Sequence, residues 1–256
     1  LGLAVLAAAG VLSAPAISGE MRTVQTRYYV IHTDLDALGV REAELRLTLM
    51  ADEYARRLEG LTGSVRQRMP FFLYSDIKDY YAAGGMPGSI GVFNGNRLMA
   101  AAHPRNPDAL WPTVQHEGFH QFVMAAVGEQ IPVWANEGMA EYFSYGMFCG
   151  DRFMVGFIPQ AQLQKIKNGI RERKFKSLSE MRALQLSEWN KNLNGDNYDQ
   201  AWSMVHFLAH ADNGRYQDAF IGYLRDMSRG QESARVWKKH FGDSDKAFQD
   251  RWENYW

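Results

Sequence analysis

Two periodicities divide the chain. Toward the N-terminus, short aromatic and β-branched runs stand apart: RYYVIHT (27–33) and PFFLYS (70–75) read as strands. Between them, DALGVREAELRLTLMADEYARRLEG (36–60) carries leucines and charges at helical spacing, with Gly60 just past its end, and predicts a long amphipathic helix. DIKDYYAAGG (76–85) predicts a short helix stopped by glycines. GGMPGSIGVFNGNRLMAAAH (84–103) predicts a flexible loop and then a hairpin that turns at Asn94-Gly95. Its glycines match no phosphate-binding pattern, because no Gly-Lys-Ser/Thr follows.

From Pro112 onward the pattern turns helical. One helix is opened by Pro112 and closed by Gly128; a second, PVWANEGMAEYFSYG (132–146), is opened by Pro132. DRFMVGFI (151–158) reads as a short strand, and helices are expected at about 159–169, 178–185, 197–211, 215–228, 231–240 and 244–254. Strands first and helices later predict an α+β domain over 17–256, with a mixed N-terminal sheet and a helical C-terminal half.

Composition narrows the function classes. The 256 residues are 46% hydrophobic, so a sizeable core can form, and the net charge is −1 with no Lys/Arg-rich run, which argues against nucleic-acid binding. Cys149 is the sole cysteine, excluding an intrachain disulfide and a multi-cysteine zinc site. LGLAVLAAAGVLSAPA (1–16) is apolar, rich in small residues and ends in Ala14-Pro15-Ala16, as a secretory signal does at its cleavage site. It is read as a partial signal peptide, with an N-terminal membrane anchor as the alternative. The expected location is periplasmic or extracellular. No later stretch is apolar and long enough to span a bilayer.

The candidate chemistry lies in WPTVQHEGFHQFVMAAVGE (111–129). Between Pro112 and Val127 the one formally charged residue is Glu117. His116 and His120 are four apart, so a helix sets both rings on one face, one turn apart. This is H-E-x-x-H, in which two imidazoles bind Zn²⁺ and the Glu acts as general base. Three buried polar groups without a common partner would each cost about 1–3 kcal/mol, and a metal supplies that partner. A catalytic zinc usually takes a third protein ligand. The extended metzincin spacing fails, since Val123 and Ala126 stand where its Gly and His belong. Downstream, WANEGMAEYF (134–143) offers Glu137 on the next helix, which an antiparallel return would bring back to the histidines.

H-E-x-x-H followed by W-x-N-E-G-x-A-E-Y resembles the gluzincin zinc metallopeptidases, the thermolysin-like and aminopeptidase-N-like enzymes and the small peptidase-MA-type domains. The resemblance is specific over about 112–145. It implies a zincin-like fold holding one Zn²⁺ on His116, His120 and Glu137. Glu117 would be the general base on a zinc-bound water, and Glu141 would hydrogen-bond a ligand imidazole. It further implies a Tyr or His downstream that steadies the oxyanion, for which Tyr198 in NYDQAWSMVHFLAH is the choice; His206 and His210 read as structural. Relatives bind an extended peptide along an edge strand before the zinc helix, here Gly91, Val92 and Phe93. Phe93 stands where aminopeptidases carry a Glu for the substrate's amine, which favours an endopeptidase acting on peptides or proteins. The rival readings are a non-catalytic peptide- or cell-wall-binding domain on the same fold, and a scaffold whose motif is coincidental.

Overall fold

A computed structural model describes residues 20–256 except 62, 64, 129, 130, 192–194 and 243. The apolar segment 1–16 lies outside the described residues.

The sheet forms first along the chain. Strand β1 (Arg22–Gln25) leads into β2 (Tyr29–Thr33), whose Tyr29, Ile31 and Thr33 alternate inward as a half-buried strand requires. Helix α1 (Ala37–Arg57) starts where the Asp36 carboxylate accepts the Gly39 N–H at 2.8 Å, and it buries Val40, Ala43, Leu47, Met50 and Tyr54 along one stripe. Strand β3 (Met69–Tyr74), the short helix α2 (Ile77–Ala82), β4 (Gly91–Phe93) and β5 (Leu98–Ala101) follow.

Among the described residues the main sheet has five strands in the order β1-β2-β3-β5-β4. β2, β3 and β5 run parallel, while β1 and β4 are antiparallel edges, so the sheet is mixed. β5 is buried at every position because it is covered on both faces. Met99 and Ala101 meet Tyr74 and Tyr80 on the α2 side; Leu98 and Ala100 join the main core on the other.

Across that main face lies α3 (Leu110–Ala126), which buries Val114, Phe119, Phe122 and Val123. It opens two residues before Pro112, which therefore sits in the first turn, and Gly128 follows its end at φ +96°. Helix α4 (Val133–Ser144) packs against α3. A two-stranded hairpin, β6 (Met147–Phe148) and β7 (Phe153–Met154), precedes the helices α5 (Gln160–Arg171), α6 (Leu178–Ala183), α7 (Leu186–Lys191) and α8 (Gly195–Gly214). The last of these leaves helical geometry at Ala211, Asp212 and Asn213. Helices α9 (Gln217–Ser228), α10 (Ser233–Phe241) and α11 (Asp245–Tyr255) complete the chain.

α4 packs on α8 at Gly138. A Cβ there would stand 2.5 Å from the Ala201 carbonyl oxygen, so the close approach requires glycine. One core runs from Tyr29 in the sheet through α3 and α4 to Trp252 in α11. Among the described residues no helix is long and apolar enough to cross a membrane.

The expected α+β layout is the observed one, with a mixed N-terminal sheet and a helical C-terminal half. β1, β6 and α7 were not foreseen; β1 is largely exposed and β6 has only two residues, so neither writes a full apolar period. The 84–90 loop was expected to be flexible, but it is tied down. The Met86 N–H donates to the Tyr80 hydroxyl at 3.2 Å, Tyr80 and Ser89 share a hydrogen bond of 2.7 Å, and the Tyr81 hydroxyl donates to the Ser89 carbonyl. The expected hairpin does turn at Asn94-Gly95, with Gly95 at φ +85°.

Candidate metal centre

His116 and His120 stand one turn apart on α3 and turn the same edge outward, their Nε2 atoms 3.2 Å from each other. Glu137 comes in from α4, with its Oε2 at 3.5 Å from each of those nitrogens. The three side chains are 14–17% exposed, so the group lies at the floor of an opening rather than sealed inside a core. The residues between the histidines are spent on packing: Phe119 is fully buried, and a Cβ on Gly118 would meet Met50 at 2.9 Å.

Each imidazole is held by its far nitrogen. His116 Nδ1 lies 3.2 Å from Glu141 Oε1, and His120 Nδ1 lies 3.3 Å from Asn136 Oδ1. With both Nδ1–H groups donating to those oxygens, both Nε2 lone pairs point into the gap beside Glu137. Two bare lone pairs and a carboxylate oxygen at these separations repel unless a cation or proton sits among them. Without a metal a proton does so. Burial acts to lower the His116 pKa, but contacts with Glu137 and Glu141 and the charges of Glu141 and Glu117 raise it to about 10. Burial likewise acts to raise Glu137, yet His116 and His120 hold it down at about 2.

The donor set fits a metal by chemistry and by spacing. Two imidazoles and a carboxylate are ligands of catalytic zinc sites, and donors at about 2.1 Å from a tetrahedral ion stand about 3.4 Å apart. The observed separations are 3.2, 3.5 and 3.5 Å. This His-His-Glu group could hold a metal ion.

Glu117 does not join the donors. Its Oε2 accepts the main-chain N–H of Phe93 at 2.8 Å. The Ala101 N–H donates to the Ile90 carbonyl and the Asn94 N–H to the Arg97 carbonyl, so Ile90 and Asn94 turn their main-chain groups toward β5. By the alternation of an antiparallel pair, those of Gly91 and Phe93 lie on the free edge, facing α3. A groove of about 510 Å³ runs there, bounded by Ser89 and Gly91 on one side, Thr113, His116 and Glu117 along α3, and Glu141 and Ser144 on α4.

Tyr198 sits in the first turn of α8, edge-on to Trp189 at 5.1 Å. Burial raises its pKa, and the charges of Glu137, Glu141 and Glu117 add to the rise. His206 and His210 are elsewhere, as a structural reading expects. The His206 Nε2–H donates to the Gly156 carbonyl at 3.2 Å and its Nδ1 accepts from the Tyr255 hydroxyl, while His210 bonds Tyr142. A second cavity, of about 410 Å³, lies between α1, α4, α8 and α9; its lining residues include Arg57, Met139 and Phe220 and none of the donors.

Two partners escaped sequence reasoning. Asn136 immediately precedes Glu137, and asking what orients the second imidazole points to it. The Phe93 N–H has no side-chain signal at all.

Residues 111–233 match the family described as "Protein of unknown function (DUF1570)". The matched stretch begins at Trp111, takes in every donor and Tyr198, and leaves out the sheet and its edge strand. No curated protein matches the chain.

Proposed function

We propose that the protein is a zinc-dependent metallopeptidase of gluzincin type, cutting within peptide chains. The observation that carries this reading is the near-tetrahedral spacing of His116, His120 and Glu137, with a further carboxylate, Glu117, beside them but outside the donor set. The zincin-like likeness draws support from the same parts: a donor helix lying along an antiparallel edge strand, and a second helix returning the third donor. The apolar opening segment favours an exported protein.

A bound divalent ion would supply Lewis acidity at the scissile carbonyl and lower the pKa of an attacking water. The rest falls to the chain. Glu117 removes the proton of that water and delivers it to the leaving nitrogen, and the Phe93 N–H holds the carboxylate in place to do so. Glu141 and Asn136 fix the tautomers of the two imidazoles. Tyr198 offers a hydroxyl to the oxygen that gains charge at the reacting carbonyl. The free edge at Gly91 and Phe93 takes the substrate as an added strand, with Val92 turned to β5. Phe93 carries no carboxylate for a free α-amine, which fits an endopeptidase.

The deciding experiment is metal analysis of the purified protein followed by a peptide-library digest with and without chelator. About one zinc per chain and chelator-sensitive cleavage are expected. A protein that binds no zinc and loses no stability to chelation removes the centre; a zinc-loaded protein that cuts no peptide removes the activity.

A further inference from the structure

With a metal on the donors and His116 neutral, the groove beside them would carry charge of one sign. Of the side chains that line it, only Glu117, Glu141 and the donor His116 are ionisable; among the described residues no Lys or Arg lines it. Two cations elsewhere in the fold are already paired. Lys165 pairs with Asp199 at 3.6 Å, and Arg46 pairs with Glu42 while lying over the rings of Trp111 and Phe148. A divalent ion on the donors would offset two of the three carboxylates Glu117, Glu137 and Glu141, leaving one negative charge.

Two groove carboxylates keep an oxygen that meets no partner among the described residues, and with Glu117 assigned as base the remaining charge falls to Glu141. Its Oε1 meets His116 Nδ1 at 3.2 Å, and among the described residues its Oε2 meets no partner. Its side chain is 25% exposed, against 14–17% for the three donors. Around it the lining is small, with Gly88, Ala109 and Ser144, and Ile90 and Pro112 give an apolar surface for a long stem.

We propose that this groove is the subsite for a cationic side chain of the substrate, a Lys or Arg close to the scissile bond, whose charged head meets Glu141 Oε2. The proposal rests on the peptidase reading and names its substrate class. In a partly desolvated groove an unlike charge is favoured more than in open water, and apart from His116 on Oε1 no wall side chain among the described residues pairs with the Glu141 carboxylate. Phe93, on the edge strand, leaves the recognition of charge to this wall.

The test uses zinc-loaded protein and peptides in which Lys or its neutral counterpart norleucine is walked through the positions flanking one cleaved bond. At one position the Lys peptide should exceed norleucine by about tenfold in kcat/KM, and added salt should shrink the ratio. Glu141→Gln keeps an oxygen for the His116 N–H, so it should keep zinc while bringing that ratio near one. If Glu141→Gln slows both peptides equally and leaves the ratio intact, Glu141 only positions His116 and the proposal is overturned. Equal rates in the parent protein overturn it as well. Should the variant lose zinc, Ser144→Lys, on the same wall and away from the donors, takes its place and should abolish the preference. If neither peptide is cut, the peptidase reading has failed on its own. Equilibrium binding of the same pair to the zinc-loaded protein then reads the groove, and equal affinities would sink the subsite.

Discussion

The main-chain N–H of Phe93 donates to Glu117 Oε2 at 2.8 Å, joining the free edge of the sheet to the helix that carries the metal donors. A side chain one position from His116 is thereby turned away from the donor gap and toward the groove. The assignment of Glu117 as base rather than ligand depends on this bond.

Glu117→Gln tests it. The amide oxygen still accepts from Phe93, so the fold and one zinc per chain should be retained, while kcat falls by about 10²–10⁴ as expected for loss of a general base. Zinc content and kcat measured on the same preparation give the answer, and retained turnover would remove Glu117 from the role.

The second prediction concerns the third donor. Glu137→Ala should lose zinc, and chelation should lower the melting temperature of the parent protein but not of the variant. At ion concentrations a hundred times Kd the bound metal stabilises by about 2.7 kcal/mol, enough to read in a thermal melt. A variant that still holds zinc at parental affinity would move the third ligand elsewhere, with Glu141 next in reach of the pair.

Protons and metal compete for His116. In the metal-free protein its pKa is raised to about 10, so at neutral pH it holds a proton that zinc must displace. Zinc affinity should therefore climb with pH between 7 and 10, and calorimetry in buffers of different ionisation heat should detect proton release at pH 7. The same shifts set the stability of the metal-free protein. The raised His116 contributes stability that is complete below its unfolded value of 6.5 and is lost as pH rises through about 10. The lowered Glu137 contributes stability that is complete above its unfolded value of 4.5 and is lost as pH falls through about 2. Chelator-treated protein should thus be most stable between those unfolded values, and a pH series of melts checks it.

Tyr198→Phe removes one hydroxyl from a ring already anchored against Trp189. If that hydroxyl meets the oxyanion, kcat should fall by about 10²-fold with zinc content and KM nearly unchanged. Unchanged kcat would leave Tyr198 as a packing residue.

Gly138→Ala probes the fold behind the centre. Its new Cβ would sit 2.5 Å from the Ala201 carbonyl oxygen and 2.8 Å from Val205. Relief requires α4 to move off α8, costing about 1–3 kcal/mol as overpacked cores do, and the helix would carry Glu137 with it. Weaker zinc binding alongside a lower melting temperature is the expected pair of changes, read by metal titration and thermal melts.

Much of this was legible in the chain. The i, i+4 histidines needed only a helix, and that helix was announced by Pro112, Gly128 and an apolar run. Glu137 was legible through the spacing of a helix, a turn and a returning helix. Less could be read where neighbours in space decide. The 84–90 loop looked mobile because glycines flank it, and it is pinned by Tyr80, whose hydroxyl takes part in bonds no local pattern encodes. Asn136 has no meaning until the His120 ring is seen against it.

By itself the sequence determined which atoms are on offer: two imidazoles on one face of a helix, a carboxylate beside them, and a second helix able to bring another. Helical geometry repeats every few residues, so such local relations are written in spacing. Only the tertiary structure decided that Glu137 reaches both imidazoles, that Glu117 bends to Phe93 instead, and that Glu141 keeps an oxygen open to the groove. Those outcomes depend on how α4 seats between α3 and α8 and on which edge of the sheet faces α3, and packing across distant segments sets both.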